Sequence, residues 1–173
     1  MKLRNVFAMS LVALVLTPAV FAGTVSVDYD HSENFAQVKT YSWTTVSTAN
    51  SLWDKRVKDA VDRELTARGY TQVPTGGALQ LAAIEKTSVQ QQYNTYYDGF
   101  GGRRWGGFGE STTSLDSYKV GTLIVDIFES NSKQLIWRGT GSEDLSGNPD
   151  KNTQKLDKEV QQMFKHFPPK ARS

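Results

Sequence analysis

The alternation of apolar and polar positions is clearest between Gly121 and Gly141, GTLIVDIFESNSKQLIWRGTG. Leu123, Val125 and Ile127 alternate with Ile124, Asp126 and Phe128, and Leu135 and Trp137 alternate with Ile136 and Arg138. Successive side chains of a strand point to opposite faces. These two runs, split by the polar Ser130-Asn131-Ser132-Lys133, therefore predict a hairpin. One face is apolar and the other largely so, which places the hairpin at the centre of a sheet covered by helices on one side. The same parity puts Leu135 and Trp137 beside Leu123, Val125 and Ile127, and sets Asp126 near Arg138 on the opposite face.

Upstream, Val25, Val27 and Tyr29 alternate with polar residues and predict a half-buried first strand over 24–30. A second is expected over 39–44, with Tyr41 and Trp43 as core anchors. A helix opens at Ser51, where Ser51-x-x-Asp54 resembles a capping box. Trp53, Val57, Ala60, Val61 and Leu65 form its apolar stripe. Asp54/Lys58 and Asp59/Arg63 have the spacing of solvent-side ion pairs. Gly69 is expected to stop this helix in the left-handed conformation, with Tyr70 folding back on it. Short strands are expected at 70–73 and 78–84, the second continuing as a polar stretch to Gln92, beyond the core or along a sheet edge. Residues 142–150 read as a polar loop. Leu156, Val160, Met163, Phe164 and Phe167 mark a second helix over about 150–166, ended by Pro168-Pro169. The fold class is α+β: a mixed, mostly antiparallel sheet of about five or six strands with two helices packed on one face.

Residues 93–114 break this pattern. Six of the fourteen glycines fall between Gly99 and Gly109, interleaved with aromatics and arginines. Glycine at that density disfavours regular structure, so a mobile excursion between two strands is expected. Its Tyr96, Tyr97, Phe100, Arg103, Arg104, Trp105 and Phe108 are the candidate partner- or ligand-binding residues, since exposed aromatics and arginines are enriched in interface hot spots.

The start of the chain changes the electrostatic picture. Lys2 and Arg4, the apolar run Val6 to Leu16 and the small-residue site Val20-Phe21-Ala22 have the three-part form of a secretory signal peptide over 1–22. The run is shorter than the roughly 20 residues that span a bilayer. The mature chain is then a single domain over 23–173, beginning at Gly23 with no transmembrane segment. Two of the 20 Lys and Arg leave with the leader while all 18 Asp and Glu stay, so the mature net charge is zero. A nucleic-acid partner gets no support from that balance. The sequence has no cysteine, which removes disulfides, thiolate metal sites and an acylated cysteine anchor. A periplasmic location without a lipid anchor follows as the expectation.

Tests for chemistry come back empty. Gly99-x-Gly101 is followed by Arg104 where a dinucleotide fingerprint needs glycine, and no Lys-Ser/Thr closes a phosphate loop. Gly139-Thr140-Gly141-Ser142-Glu143 carries Gly141 where a nucleophile elbow needs serine. His31 and His166 are the only histidines and lack metal-ligand spacing. The acids between Glu143 and Asp150 miss the calcium-loop register. Gly101-Gly102-Arg103-Arg104-Trp105-Gly106-Gly107 is shaped like single-strand-binding RGG segments, which an exported, net-neutral chain does not favour. No cofactor, metal or catalytic residue is assigned.

Several short motifs together resemble one family. They are Asp28-Tyr29-Asp30, Lys39-Thr40-Tyr41-Ser42-Trp43, Arg68-Gly69-Tyr70, Gly121-Thr122-Leu123-Ile124-Val125-Asp126, Leu135-Ile136-Trp137-Arg138-Gly139 and Phe164-Lys165-His166-Phe167-Pro168-Pro169. In this order they are similar to the bacterial envelope group named domain of unknown function 4136, across essentially the whole mature chain. The resemblance implies a periplasmic or outer-membrane location and a small α/β domain, often with a Gly/aromatic insertion before the hairpin. Many members are lipoproteins, and this chain departs from them in lacking the acylated cysteine. The resemblance supplies no catalytic residues. The functional expectation is a non-enzymatic envelope interaction or structural module, its partner an envelope protein or glycan. Glycan or peptidoglycan binding through the 93–114 segment is the alternative. An enzyme built on Asp28, Asp30, His31 or Asp126 comes third.

Overall fold

The computed structural model describes residues 23–97 and 111–169, so the leader, the glycine-rich segment 98–110 and the last four residues lie outside the described residues. Strands β1 (Thr24–Tyr29) and β2 (Thr40–Ser47) precede helix α1 (Ser51–Ala67). Strands β3 (Thr71–Gln72), β4 (Leu79–Tyr97), β5 (Ser111–Glu129) and β6 (Leu135–Leu145) follow, and helix α2 (Pro149–Met163) closes the order. The strands form one six-stranded sheet in the order β1-β6-β5-β4-β2-β3. The fold is α+β, with a mixed sheet. Three ladders, β1–β6, β6–β5 and β5–β4, are antiparallel, while β4–β2 and β2–β3 are parallel. The expectation of a mostly antiparallel sheet is corrected accordingly. Helix α1 crosses over between β2 and its two neighbours, and strands joined by such a crossover run parallel. Among the described residues no helix is long and apolar enough to cross a membrane.

Leu79, Leu81 and Ala83 of β4, Leu123, Val125 and Ile127 of β5, and Trp137 of β6 are buried in one cluster with Val57, Val61 and Leu65 of α1 and Leu156, Val160 and Met163 of α2. Phe164 and Phe167, just past α2, complete it. Their rings lie 4.8 and 5.5 Å from that of Trp137, and Phe167 also meets Phe35 and Tyr70 at 5.6 and 5.4 Å. Arg68-Gly69-Tyr70 locks the two helix ends together. Gly69 has φ +80°, and the amides of Gly69 and Tyr70 donate to the carbonyls of Thr66 and Leu65, the two bonds of a Schellman cap. Arg68 reaches across to donate to the carbonyls of Phe164 (2.6 Å) and Phe167 (2.9 Å), just past the end of α2. Tyr70 is itself buried, and its hydroxyl donates to the Phe35 carbonyl at 2.8 Å.

Other local readings shift. The N-cap of α1 is Asn50, whose side chain accepts from the Trp53 amide, so Ser51 is the first helical residue and no capping box forms. Asp54 instead accepts from the Thr48 amide. The expected ion pairs are replaced: Lys55 binds Asp59, and Arg63 binds Asp157 of α2. An intrahelical spacing cannot foresee a partner on a second helix. The segment read as a loop over 142–150 is strand as far as Leu145.

The central hairpin forms between β5 and β6, with Asp126 opposite Arg138 and Ile127 opposite Trp137. Arg138 grips Asp126 in a two-pronged pair at 2.6 and 2.7 Å on the face away from the helices. One expectation fails. Phe128 pairs with Leu135, which leaves Ile136 as the extra residue of a bulge. The bulge resets the alternation, so Ile136 is buried and Leu135 is exposed. The turn is held by Glu129, whose carboxylate accepts from the amides of Asn131 and Ser132. Those bonds draw its pKa down to about 2.

Candidate functional site

Strands β4 and β5 pair without a break from Leu79↔Glu129 to Tyr97↔Ser111. Their neighbour β6 stops at the Lys119↔Leu145 pair, and β2 stops at Ser47↔Ile84. Beyond those points the two strands continue alone as a ribbon. Segments 93–97 and 111–114 are thus paired strand, not the excursion expected from the glycine-rich stretch, whose remainder lies outside the described residues. The ribbon has two unlike sides. On one, Tyr118 donates to Gln90 (3.0 Å) and Asn94 to Asp116 (2.7 Å), so four of its polar side chains pair across the strands. On the other lie Val89, Tyr93 and Leu115, which are 63%, 71% and 49% exposed. Tyr93 and Leu115 are directly paired. This side shares its strand parity with Leu81, Ala83, Leu123 and Val125, so it extends the helix-covered face past the helices.

Among the candidate residues, Tyr96 and Tyr97 are the last two of β4, with backbone partners Thr112 and Ser111. Phe100, Arg103, Arg104, Trp105 and Phe108 lie outside the described residues. The ribbon's own apolar side was missed. Val89 sits singly beside a run of glutamines and Tyr93 falls in the stretch expected as an excursion, so only the pairing with Leu115 groups them.

At the root of the ribbon, where the core ends, three carboxylates gather. Glu85 of β4, Glu143 of β6 and Glu159 of α2 line a cavity of about 10 Å³ together with Trp53, Gly121 and Lys155. Two glycines make room for them. A Cβ at Gly141 would stand 2.0 Å from Glu159 Oε1, and one at Gly121 3.0 Å from Glu85 Oε1. Glu159 is 6% exposed, and its Oε1, like Glu85 Oε2, has no hydrogen-bond partner among the described residues. Burial first, then the charges of Glu143 and Glu85, push the Glu159 pKa up to about 8. Burial also raises that of Glu85, against an opposing hydrogen bond from Trp53. Lys155 spends its ammonium on the Asp144 carbonyl at 2.7 Å and reaches Glu143 only at 3.8 Å. Among the described residues no three acids or histidines stand where they could hold a metal ion. Glu159 was legible in principle, because it falls three residues after Leu156 on the apolar stripe of α2.

Of the acid–base candidates named from sequence, Asp28 and Asp30 line one groove with Arg138, which stands between Asp28 of β1 and Asp126 of β5. Asp126 is taken up by Arg138. Asp30 accepts from the amide and hydroxyl of Ser32, which lowers its pKa, as expected of a turn-forming carboxylate. Asp28 accepts from the amide of Tyr29, and the His31 ring stacks edge-on against Tyr29 at 4.4 Å. A groove of about 500 Å³ between β1 and the end of α2 holds His166 beside Val27, Tyr29 and Met163, and no carboxylate lines it.

The profile of the family described as "Domain of unknown function (DUF4136)" matches residues 25–169. No curated protein matches the chain. Among solved structures, a PDZ domain protein from Parabacteroides distasonis is similar over 86% of this chain, with a TM-score of 0.58 and 13% identity, and this chain spans 36% of it. The PelC dodecamer from Paraburkholderia phytofirmans is similar over 87% of this chain and 99% of its own, at a TM-score of 0.48 and 15% identity. A minor lipoprotein from Acinetobacter baumannii follows at 0.39 and 15% identity, over 75% of this chain and 90% of its own. At these identities the first likeness is one of fold alone.

Proposed function

The chain belongs to the DUF4136 family, and from that premise we propose that it is an exported, non-enzymatic module of the cell envelope that docks a partner protein on the apolar side of its β4–β5 ribbon. One observation carries this reading. The ribbon leaves the core with Val89, Tyr93 and Leu115 bare on one side while its other side is hydrogen-bonded to itself. A two-stranded ribbon is marginally stable alone in water, and exposed apolar residues clustered on one side mark an interaction surface. A partner laid along that side would bury them and fix the ribbon at once. The aromatics and arginines between residues 98 and 110, which follow β4 in sequence, are residue types enriched in such interfaces. The leader sequence supports export, and the absence of cysteine from the sequence supports a domain held without a lipid anchor.

The test places a photo-crosslinking amino acid at Tyr93, at Leu115 and, as a control, at Gln134 in the opposite turn. Irradiation of intact cells should give a protein adduct of one size from positions 93 and 115 and none from 134. Equal labelling at all three sites, or none anywhere, would end the proposal. Adducts that vanish when glycan strands are digested would transfer the site to the glycan reading.

A further inference from the structure

The acidic cluster at the ribbon root has a neighbour that the reading above does not use. Gly23, one residue before β1, places its backbone nitrogen 2.9 Å from Glu143 Oε1. It comes this close because it has no side chain: a Cβ there would stand 2.3 Å from Glu143 Oε1 and 2.5 Å from the Ser142 carbonyl. The cluster it touches is short of positive charge. Three carboxylates face it from β4, β6 and α2, Lys155 is turned mainly to a neutral carbonyl, and the Oε1 of the buried Glu159 has no partner. The cavity is too small for an outside ligand, since about 10 Å³ is at the limit for a single water. Glu143 has no charged partner closer than Lys155 at 3.8 Å, and the nitrogen of position 23 already lies within hydrogen-bond reach of it.

We propose that this cluster is the seat of the mature N-terminus, and that the α-ammonium group of Gly23, released by leader cleavage, docks on Glu143. The inference rests on the reading of the chain as exported and cut after Ala22. Hydrolysis of the Ala22–Gly23 amide consumes one water, leaves a carboxylate on Ala22 and frees an amine on Gly23, which takes up a proton at neutral pH. Before the cut, position 23 offers Glu143 one neutral N–H. After it, the same nitrogen offers a full positive charge and three donors, and a charge-assisted bond is about twice as strong as a neutral one. Maturation thereby fastens edge strand β1 one residue ahead of its start. Glycine at position 23 is then what allows the close approach to Glu143.

The experiment uses the exported protein. Intact mass spectrometry first locates its N-terminus. The amine is then labelled with an acylating reagent at neutral pH, in the wild type, in Glu143→Gln and in a form with one alanine inserted before Gly23. A docked ammonium should label at least about tenfold more slowly than the amine of an unstructured glycine peptide, which corresponds to a rise of about one unit above the ordinary α-amino pKa of roughly 8. Glu143→Gln and the insertion should both restore the peptide rate. If Glu143→Gln does not fold, the wild type and the insertion decide between them. A chain that starts at Gly23 and labels at the peptide rate overturns this inference alone. A chain that starts elsewhere overturns the export boundary with it.

Discussion

The two halves of the β4–β5 pair are built from the same strands in one continuous register, yet they answer to different forces. The inner half, Leu79–Ala83 against Leu123–Ile127, lies between further strands and under both helices, and its odd-numbered side chains are buried. The outer half keeps the ladder but loses the neighbours, and its odd-numbered Val89, Tyr93 and Leu115 face water. Backbone pairing is therefore not what distinguishes core from arm. The covering layer is, and it ends at Glu85, Glu143 and Glu159. Substitutions in the inner half should be read as changes in stability, those at the root as changes in pH dependence, and those in the outer half as changes in binding.

The largest effect is expected at Trp137, buried against Phe164 and Phe167. Trp137→Ala should cost about 3–5 kcal/mol in denaturant unfolding, and a cost below about 1 would mean the aromatic cluster is not the core. Glu159 comes next. The folded chain holds its proton up to about pH 8, while the unfolded chain releases it near the ordinary 4.5. Between those values the native state binds more protons, so stability should fall as pH rises from about 4.5 to about 8, by roughly 4–5 kcal/mol at most. Glu159→Gln should flatten that fall. Stability of the wild type rising over this window would refute the assignment. Arg138→Ala, which leaves the buried Asp126 carboxylate without its partner, should cost about 1–3 kcal/mol even though Arg138 itself is half exposed. Tyr93→Ser should cost less than about 0.5 kcal/mol, as a surface change does, and yet abolish the crosslink.

The inner half was legible because burial imposes a period. Leu123, Val125, Ile127 and Trp137 announced their face, and Asp126 and Arg138 announced theirs. The bulge at Ile136 was not legible, since it inserts a residue that is as apolar as its neighbours. The outer half was obscured for the opposite reason. Without a covering layer nothing enforces alternation, so glutamine, serine and threonine fill the strands and the run looks like the start of a loop. The acidic root depends on three elements meeting, and only the glutamate within the apolar stripe of α2 hinted at it. That the sheet is mixed is legible in the sequence; that the α1 crossover sets β2 parallel to both β3 and β4 is not.

The most direct test of the division between core and arm removes the arm. Residues 89–119 are replaced by an Asn-Gly turn joining Ser88 to Val120, which are paired in the sheet, and both thermal melting and crosslinking from the tip-proximal surface of the shortened chain are measured. The cooperative melt should persist with its midpoint within a few degrees of the full chain, a change of well under about 1 kcal/mol, while the partner adduct disappears. Loss of the cooperative melt, or an adduct that survives in the shortened chain, would contradict the account.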